Sequence, residues 1–274
     1  MLRRTARSIL VPLLALGLLV ATGCTSEGSG GSNTASGQTH LSEILKRGTV
    51  RVAVLPDFPP WSSQTASGEF KGYEVDIAHK LAEALGVKLK LVPTDGTSRL
   101  PLLKTDRVDV NISAWTATNE RARAVGFTIP YIAHGACVLY RKDNPIKGYD
   151  DLAGKKVSVA RGSTNDIIMT EDFPKTEVVR FKSIADVIAA LKAGKVDAAV
   201  EGCATVNQQA EQNKNLKRVD APTIQPSIVS MGVLPQDQVW LNYLNNFIRN
   251  LNTSGTNAKL YRKWFEGDIP DVMQ

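Results

Sequence analysis

The stretch DIAHKLAEALGVKLKLV, residues 76–92, decides the fold class. Ile77, Leu81 and Leu85 stand at i, i+4 and i+8, which puts one apolar stripe along a helix from Asp76 to Leu85, and Gly86 ends it. Lys88 to Val92 then reads as a strand, so a helix that docks by one face is followed by a strand of the sheet it docks on. Outward from this unit the alternation recurs, with strands expected at Val50 to Leu55, Val108 to Ile112, Val157 to Ala160, Val178 to Phe181 and Ala198 to Val200. Ile184 to Ala193, ended by Gly194, repeats the helical plan in the second half. Two such sets predict an α/β protein of two lobes. The join falls near Ile132 to Ala136, because a strand-like Cys137 to Arg141 leads into the polar loop Lys142 to Asp151, with Asn144, Pro145 and Gly148 as its turn residues. An apolar strand at Ile228 to Leu234 and helices at Val239 to Leu251 and Ala258 to Phe265 then return to the first lobe. The first lobe is accordingly residues 41–132 with 228–274, and the second is 133–227.

The chain has 274 residues, 43% apolar and 22% charged, enough for two cores. Its formal charge of +6 includes Arg3, Arg4 and Arg7, and what remains is too mild to point to nucleic acid. Those arginines, the short apolar run Ile9 to Val20 and the small residues Ala21-Thr22-Gly23 read as a signal peptide over residues 1–23. A membrane-crossing helix needs ~20 apolar residues, and this run is shorter and interrupted by Pro12 and Gly17. The small residues before Cys24 resemble a bacterial lipobox, which implies cleavage there and a diacylglycerol on the Cys24 thiol; an ordinary secretory signal cut nearby is the alternative. Residues 24–40 then form the lipidated cysteine and a flexible tether. An oxidising location allows Cys137 and Cys203 to pair, while their spacing alone does not decide it. His40, His79 and His134 are scattered, no Cys-x-x-Cys occurs and no serine sits in a nucleophile elbow, so neither metal, cofactor nor nucleophilic catalysis is expected.

Gly72-Tyr73-Glu74-Val75-Asp76-Ile77-Ala78, with Leu81-Ala82 and Leu85-Gly86, resembles the signature of bacterial family 3 solute-binding proteins. The likeness continues through Val108-Asp109-Val110, Thr116 to Arg121, Ile129-Pro130-Tyr131, Gly194 to Ala198 and Tyr261 to Phe265, in order and at family-like spacing over nearly all of Leu41 to Pro270. The resemblance implies a two-lobed periplasmic-binding-protein-like fold of type II, its lobes joined by two crossing strands with a small ligand held in the cleft between them. It also implies a monomeric, non-enzymatic component that works outside the cytoplasm, lipid-anchored at the membrane, and passes an amino acid or related small carboxylate to an ABC permease.

An amino acid carries a carboxylate and an ammonium, so its cleft needs a fixed cation or amide donors for one and oxygen acceptors or a carboxylate for the other. By the resemblance, Arg121 is the bidentate carboxylate clamp, Thr116 offers its hydroxyl and backbone N–H, and Ala114 offers a carbonyl to the ammonium. Arg161-Gly162-Ser163-Thr164-Asn165 joins a strand to a helix opening near Asp166, so free N–H groups and the helix dipole point at an anion. Ser163 and Thr164 thus complete the carboxylate site from the second lobe; a plain N-cap by Ser163, Thr164 or Asn165 is the other reading. Phe58, in the proline-stiffened loop Pro56 to Trp61, walls the ligand with Trp61 as its support, although either suits a core. Trp115 either walls the site or faces inward.

Leu55 stands where relatives that bind cationic or amide side chains often carry an aspartate, which argues against arginine, lysine, histidine and glutamine as ligands. Arg99 resembles the arginine that meets the side-chain carboxylate in glutamate and aspartate binders, though a similar Arg-x-Pro occurs in relatives of other specificity. Gly202 is a departure, because amino-acid binders of the family place an aspartate there for the ligand ammonium. Glu201 either turns into the cleft as a substitute or faces out, and then the ligand lacks an α-ammonium. Two other functions remain open. One is a periplasmic dehydratase of this fold acting on prephenate-like substrates, with a loop similar to Gly162 to Asn165 and Glu201 as general acid, but without a matching acid past Gly202. The other is a ligand sensor acting through a membrane partner.

Overall fold

A computed structural model describes residues 39–265 and Ile269. The signal peptide, Cys24 and the tether as far as residue 38 lie outside the described residues. The strands are β1 Thr49–Val54, β2 Asp57–Phe58, β3 Ser62–Gln64, β4 Phe70–Lys71, β5 Lys88–Pro93, β6 Val110–Asn111, β7 Gly126–Phe127, β8 Ile132–Arg141, β9 Lys156–Ala160, β10 Glu177–Phe181, β11 Ala198–Gly202, β12 Leu216–Arg218, β13 Ile224–Val229 and β14 Gly232–Val233. The helices are α1 His40–Arg47, α2 Tyr73–Leu85, α3 Arg99–Lys104, α4 Thr164–Glu171, α5 Ile184–Lys192, α6 Cys203–Gln212, α7 Gln238–Thr253 and α8 Thr256–Trp264. Helix α1 begins inside the expected tether, capped by Thr39, whose side chain accepts from the Ser42 N–H. No helix among the described residues is long and apolar enough to cross a membrane.

Two sheets carry the architecture. The first has five strands in the order β5-β1-β6-β14-β7, with β1 parallel to β5 and β6 and β14 antiparallel to its neighbours. The second has six, in the order β10-β9-β11-β8-β12 with β13 also on β8; β9 is parallel to β10 and β11. The chain passes from β7 of the first sheet into β8 of the second at Ile132, and returns through β13 to β14 after Val229, β8 and β13 pairing antiparallel from Ile132↔Val229 to His134↔Ser227. These are the two strands that join the lobes.

Helix α2 shows how the signature builds the first lobe. Its apolar buried face is Tyr73, Val75, Ile77, Ala78, Leu81, Ala82 and Leu85, and the valine, isoleucine and leucine side chains each contribute about 1.5–3 kcal/mol when taken from water. The helix starts at Tyr73 rather than Asp76 because Gly72, at φ 139°, lets the chain pass where a Cβ would lie 2.4 Å from the Trp61 carbonyl oxygen. Tyr73 Oη donates to Asn257 Oδ1 at 2.6 Å, and Lys263 Nζ and Trp264 Nε1 each bond Asp76 Oδ2 at 2.7 Å. The signature therefore ties α2 to α8 across nearly 190 residues of chain, a separation of 187 for Asp76 and Lys263.

Two expected strands differ. The apolar run Ile228 to Leu234 is divided between β13 in the second sheet and β14 in the first, because this run is where the chain crosses back and must serve both. Val108 to Ile112 contracts to a ladder of Val110–Asn111, since Asp109 is drawn into bonds with His40, Arg47 and Arg51. Cys137 and Cys203 form a disulfide with Cα atoms 4.8 Å apart. Cys137 lies directly opposite Glu201 in the β8–β11 ladder and Cys203 opens α6, so the bridge pins the backbone on both sides of Glu201.

Candidate ligand-binding site

Between the two sheets lies a cavity of about 470 Å³. Its lining brings together Phe58, Arg99, Ala114 and Thr116 from the first lobe and Ser163, Thr164 and Glu201 from the second. The lobes touch around it. Ala185 N–H donates to Asp57 Oδ2 at 2.9 Å, Thr205 Oγ1 to the Pro59 carbonyl at 2.9 Å, and Lys182 Nζ approaches Asp95 Oδ2 at 3.6 Å. A Cβ on Gly96 would meet the Arg161 carbonyl oxygen at 2.4 Å, so the absence of a side chain at residue 96 is what allows this approach.

The first-lobe wall is set by buried polar groups. Arg99 is only 5% exposed; its Nε donates to Ser113 Oγ at 3.1 Å and its Nη2 to the Ser113 carbonyl at 2.8 Å, while its guanidinium lies over the Trp115 ring at 5.7 Å. Trp115 thus faces inward, packed on Phe127, and does not line the cavity. Burial, and then the charge of Arg121, lower the Arg99 pKa to about 10, so it stays charged at neutral pH. Neither arginine is paired with a carboxylate among the described residues. Glu74 shapes the same wall from below: its Oε1 accepts from the Ala114 N–H at 2.6 Å and from the Tyr131 hydroxyl, which holds Ala114 at φ 48°. Burial pushes Glu74 up to about 7 against those two hydrogen bonds.

Arg121 stands just behind the cavity and is not among its lining residues. Its Nη1 donates to the Thr116 carbonyl at 2.9 Å and to Thr164 Oγ1 at 3.1 Å, and its Nη2 to the Gly162 carbonyl at 3.0 Å, so it spans the two lobes. Trp61 is also set back, 1% exposed and stacked behind Phe58 at 5.8 Å between ring centroids.

In the second lobe Ser163 caps α4, accepting from the Asp166 N–H at 3.1 Å, and α4 begins at Thr164, two residues before the expected opening. The N-cap and the cavity lining are therefore one and the same residue. Glu201 faces the cavity and is 2% exposed. A simple strand alternation would turn it outward, but here both faces of β11 are covered, and the inner one is the cleft. Its Oε2 takes one long bond from Asn165 Nδ2 at 3.4 Å, and its Oε1 is buried with no hydrogen-bond partner. Burial, then the nearby Asp57, raise its pKa to about 8. A Cβ on Gly202 would stand 3.4 Å from both His134 Nδ1 and Phe58 Cζ, so those rings back the position where the family resemblance expects an aspartate.

His134 and Lys182 line the cavity without a place in the expected site, and Asn165, offered by the sequence only as an N-cap, lines it as well. Asn165 carries a signal, the second helical position after the Ser163 cap; His134 carries none, since it gains its place only where β8 crosses between the lobes. Burial lowers the His134 pKa to about 4 and keeps the ring neutral.

Residues 50–267 match the bacterial extracellular solute-binding proteins, family 3. The chain belongs to that family. It is thereby extracytoplasmic. Its relatives include the ABC transporter arginine-binding protein 1 of Escherichia coli K12, 28% identical over 79% of this chain and 90% of that protein. Another is cyclohexadienyl dehydratase of Pseudomonas aeruginosa, 26% identical over 84% and 87%. Among solved structures, a mutant of ArgBP from T. maritima superposes with a TM-score of 0.78 at 34% identity, covering 84% of this chain and all of that one, 100%. The family and this neighbour share the two-lobed α/β fold described above.

Proposed function

We propose that this protein is the substrate-binding component of an ABC importer for an acidic amino acid, glutamate or aspartate. The observation that carries the reading is the charge arrangement: two neighbouring guanidiniums without carboxylate partners among the described residues, Arg99 in the cavity lining and Arg121 just behind it, with the weakly held carboxyl of Glu201 lining the same cavity from the second lobe. An acidic amino acid brings two carboxylates and one ammonium, the complement of that set. The side-chain carboxylate meets Arg99. The α-carboxylate meets Thr116, Ser163 and Thr164, with Arg121 turning to it from the Gly162 and Thr164 oxygens, and the ammonium lies between the Ala114 carbonyl and Glu201. Phe58 walls the apolar carbons, with Trp61 behind it. Leu55, in the lining, offers nothing to a cationic side chain.

In this reading the lobes open and close, and a ligand that touches both walls shifts the population toward the closed form that a permease reads. The protein acts as a monomer of residues 41–132 with 228–274 and 133–227, held at the membrane through a lipid on Cys24 and the tether that follows. The arginine-binding relative, named as part of an ABC transporter, supports the transport role. The dehydratase relative supports a second reading, an enzyme on the same fold with protonated Glu201 as its acid.

The test is thermal unfolding of the chain from Thr25 onward against the twenty protein amino acids, small carboxylates lacking an amino group, and prephenate. Glutamate or aspartate at 100 times its Kd stabilises the protein by about 2.7 kcal/mol, which reads as a rise of several degrees. A shift only with non-amino carboxylates overturns the amino-acid reading, and turnover of prephenate replaces it with the enzyme.

A further inference from the structure

Among the acids lining the cavity, Glu201 is the one left without a strong partner. Asp57 accepts from the Ala185 N–H, and Asp95 accepts from the Thr97 and Ser98 N–H groups. Glu201 has one long side-chain bond, 3.4 Å from Asn165, and its other oxygen is buried and bare; the Gly202 backbone N–H opposes the effect of burial but does not overcome it. The elements around it contribute few charges. Across β8 lie Cys137, locked in the disulfide, and neutral His134; α4 gives Asn165; the β2 segment gives Phe58 and Asp57; Lys182 precedes α5; and the first-lobe wall gives Arg99 and Asp95. A carboxyl taken from water into such a place favours its neutral form, and only a cation brought to it reverses that preference.

We propose that Glu201 takes the ligand's ammonium in exchange for its own proton. The carboxyl O–H bond breaks, the proton leaves to solvent, and the carboxylate so formed accepts the ammonium's hydrogen bonds; one proton is released for each ligand captured. This rests on the reading of the cleft as an amino-acid site and goes beyond it. The family's expected aspartate at residue 202 is a glycine here, and the neighbouring glutamate makes capture a proton-releasing step. The consequence is selectivity: the empty site hides its acid as a neutral group, and a small carboxylate without an ammonium gains nothing from Glu201. The raised titration of Glu201 at about 8 fits this order of events, with the free site protonated at neutral pH.

The experiment is isothermal titration calorimetry of the chain from Thr25 onward with L-glutamate, L-aspartate and L-arginine, in phosphate and in Tris at matched pH, so that the difference in heat counts protons. For whichever probe binds, about one proton is released at pH 7 and close to none at pH 9, and affinity rises with pH by up to about tenfold per unit until it levels off above pH 8. In Glu201→Gln the proton release and the pH slope vanish, while the circular dichroism spectrum is unchanged. Binding with no proton release, or with the same release in Glu201→Gln, overturns the exchange and leaves the amino-acid reading standing. No binding by any of the three overturns that reading and the exchange with it.

Discussion

Each lobe buries one glutamate beside the cleft, and they are held in different ways. Glu74, in the first lobe, has Oε1 gripped by the Ala114 N–H and the Tyr131 hydroxyl while its Oε2 is buried without a partner, and burial pushes its pKa up to about 7. Glu201, in the second, has one long bond and an oxygen with none, and it titrates at about 8. Both carboxyls are fully enclosed, so the difference lies in what the protein itself supplies. Each carboxyl keeps one bare oxygen, but Glu74 is doubly held through the other and stands outside the cavity lining, so it is a structural strut, whereas Glu201 is weakly held and lines the cavity, where a ligand can supply the missing partner.

The largest expected effect concerns the frame around Glu201. The Cys137–Cys203 bridge closes a loop with a sequence separation of 66, and in the chain-entropy account its loss costs about 4 kcal/mol. Cys137→Ala with Cys203→Ala should lower the thermal midpoint by many degrees and weaken ligand binding, since the bridge flanks Glu201 on two strands of backbone. Unchanged affinity in the double variant would detach the bridge from the site.

A smaller effect separates the two glutamates by pH. A carboxyl whose pKa is raised on folding binds its proton more tightly in the folded chain than in the unfolded one. The folded state therefore loses stability as pH climbs from the unfolded value of about 4.3 through the folded value, and the loss is complete above it. For Glu201 that window ends near 8 and for Glu74 near 7. At pH 8 without ligand, Glu201→Gln should be more stable than the parent, with a rise of roughly 2–4 °C for each kcal/mol relieved. Glu74→Gln should gain less, because its two donors already oppose the cost of burial. Equal gains, read by thermal unfolding from pH 5 to pH 8, would erase the distinction.

The fold was legible wherever periodicity met a local stop signal. Ile77, Leu81, Leu85 and Gly86 give the α2 helix directly, and Gly194 follows α5 by the same logic. The run at Ile228 to Leu234 misled because one apolar stretch crosses between two sheets, and hydrophobicity says nothing of which sheet a strand joins. At the site, Phe58, Thr116, Ser163 and Thr164 stood in recognisable loops, and all of them line the cavity. Arg121 illustrates what a motif leaves out: its position follows from the sequence, but its bonds to Gly162 and Thr164 depend on the other lobe's approach. The same holds for Glu201, which faces the cleft because both faces of β11 are covered, and for His134, which has no local signal at all.

A crystal structure of the protein with L-glutamate bound would show directly which groups hold each end of the ligand. One carboxylate should lie on the Arg99 guanidinium, the other on Arg121 with Thr116 and Thr164, and the ammonium within hydrogen-bond distance of Glu201. A ligand that leaves Arg99 to Ser113 alone, or that turns no cationic group toward Glu201, would contradict that arrangement.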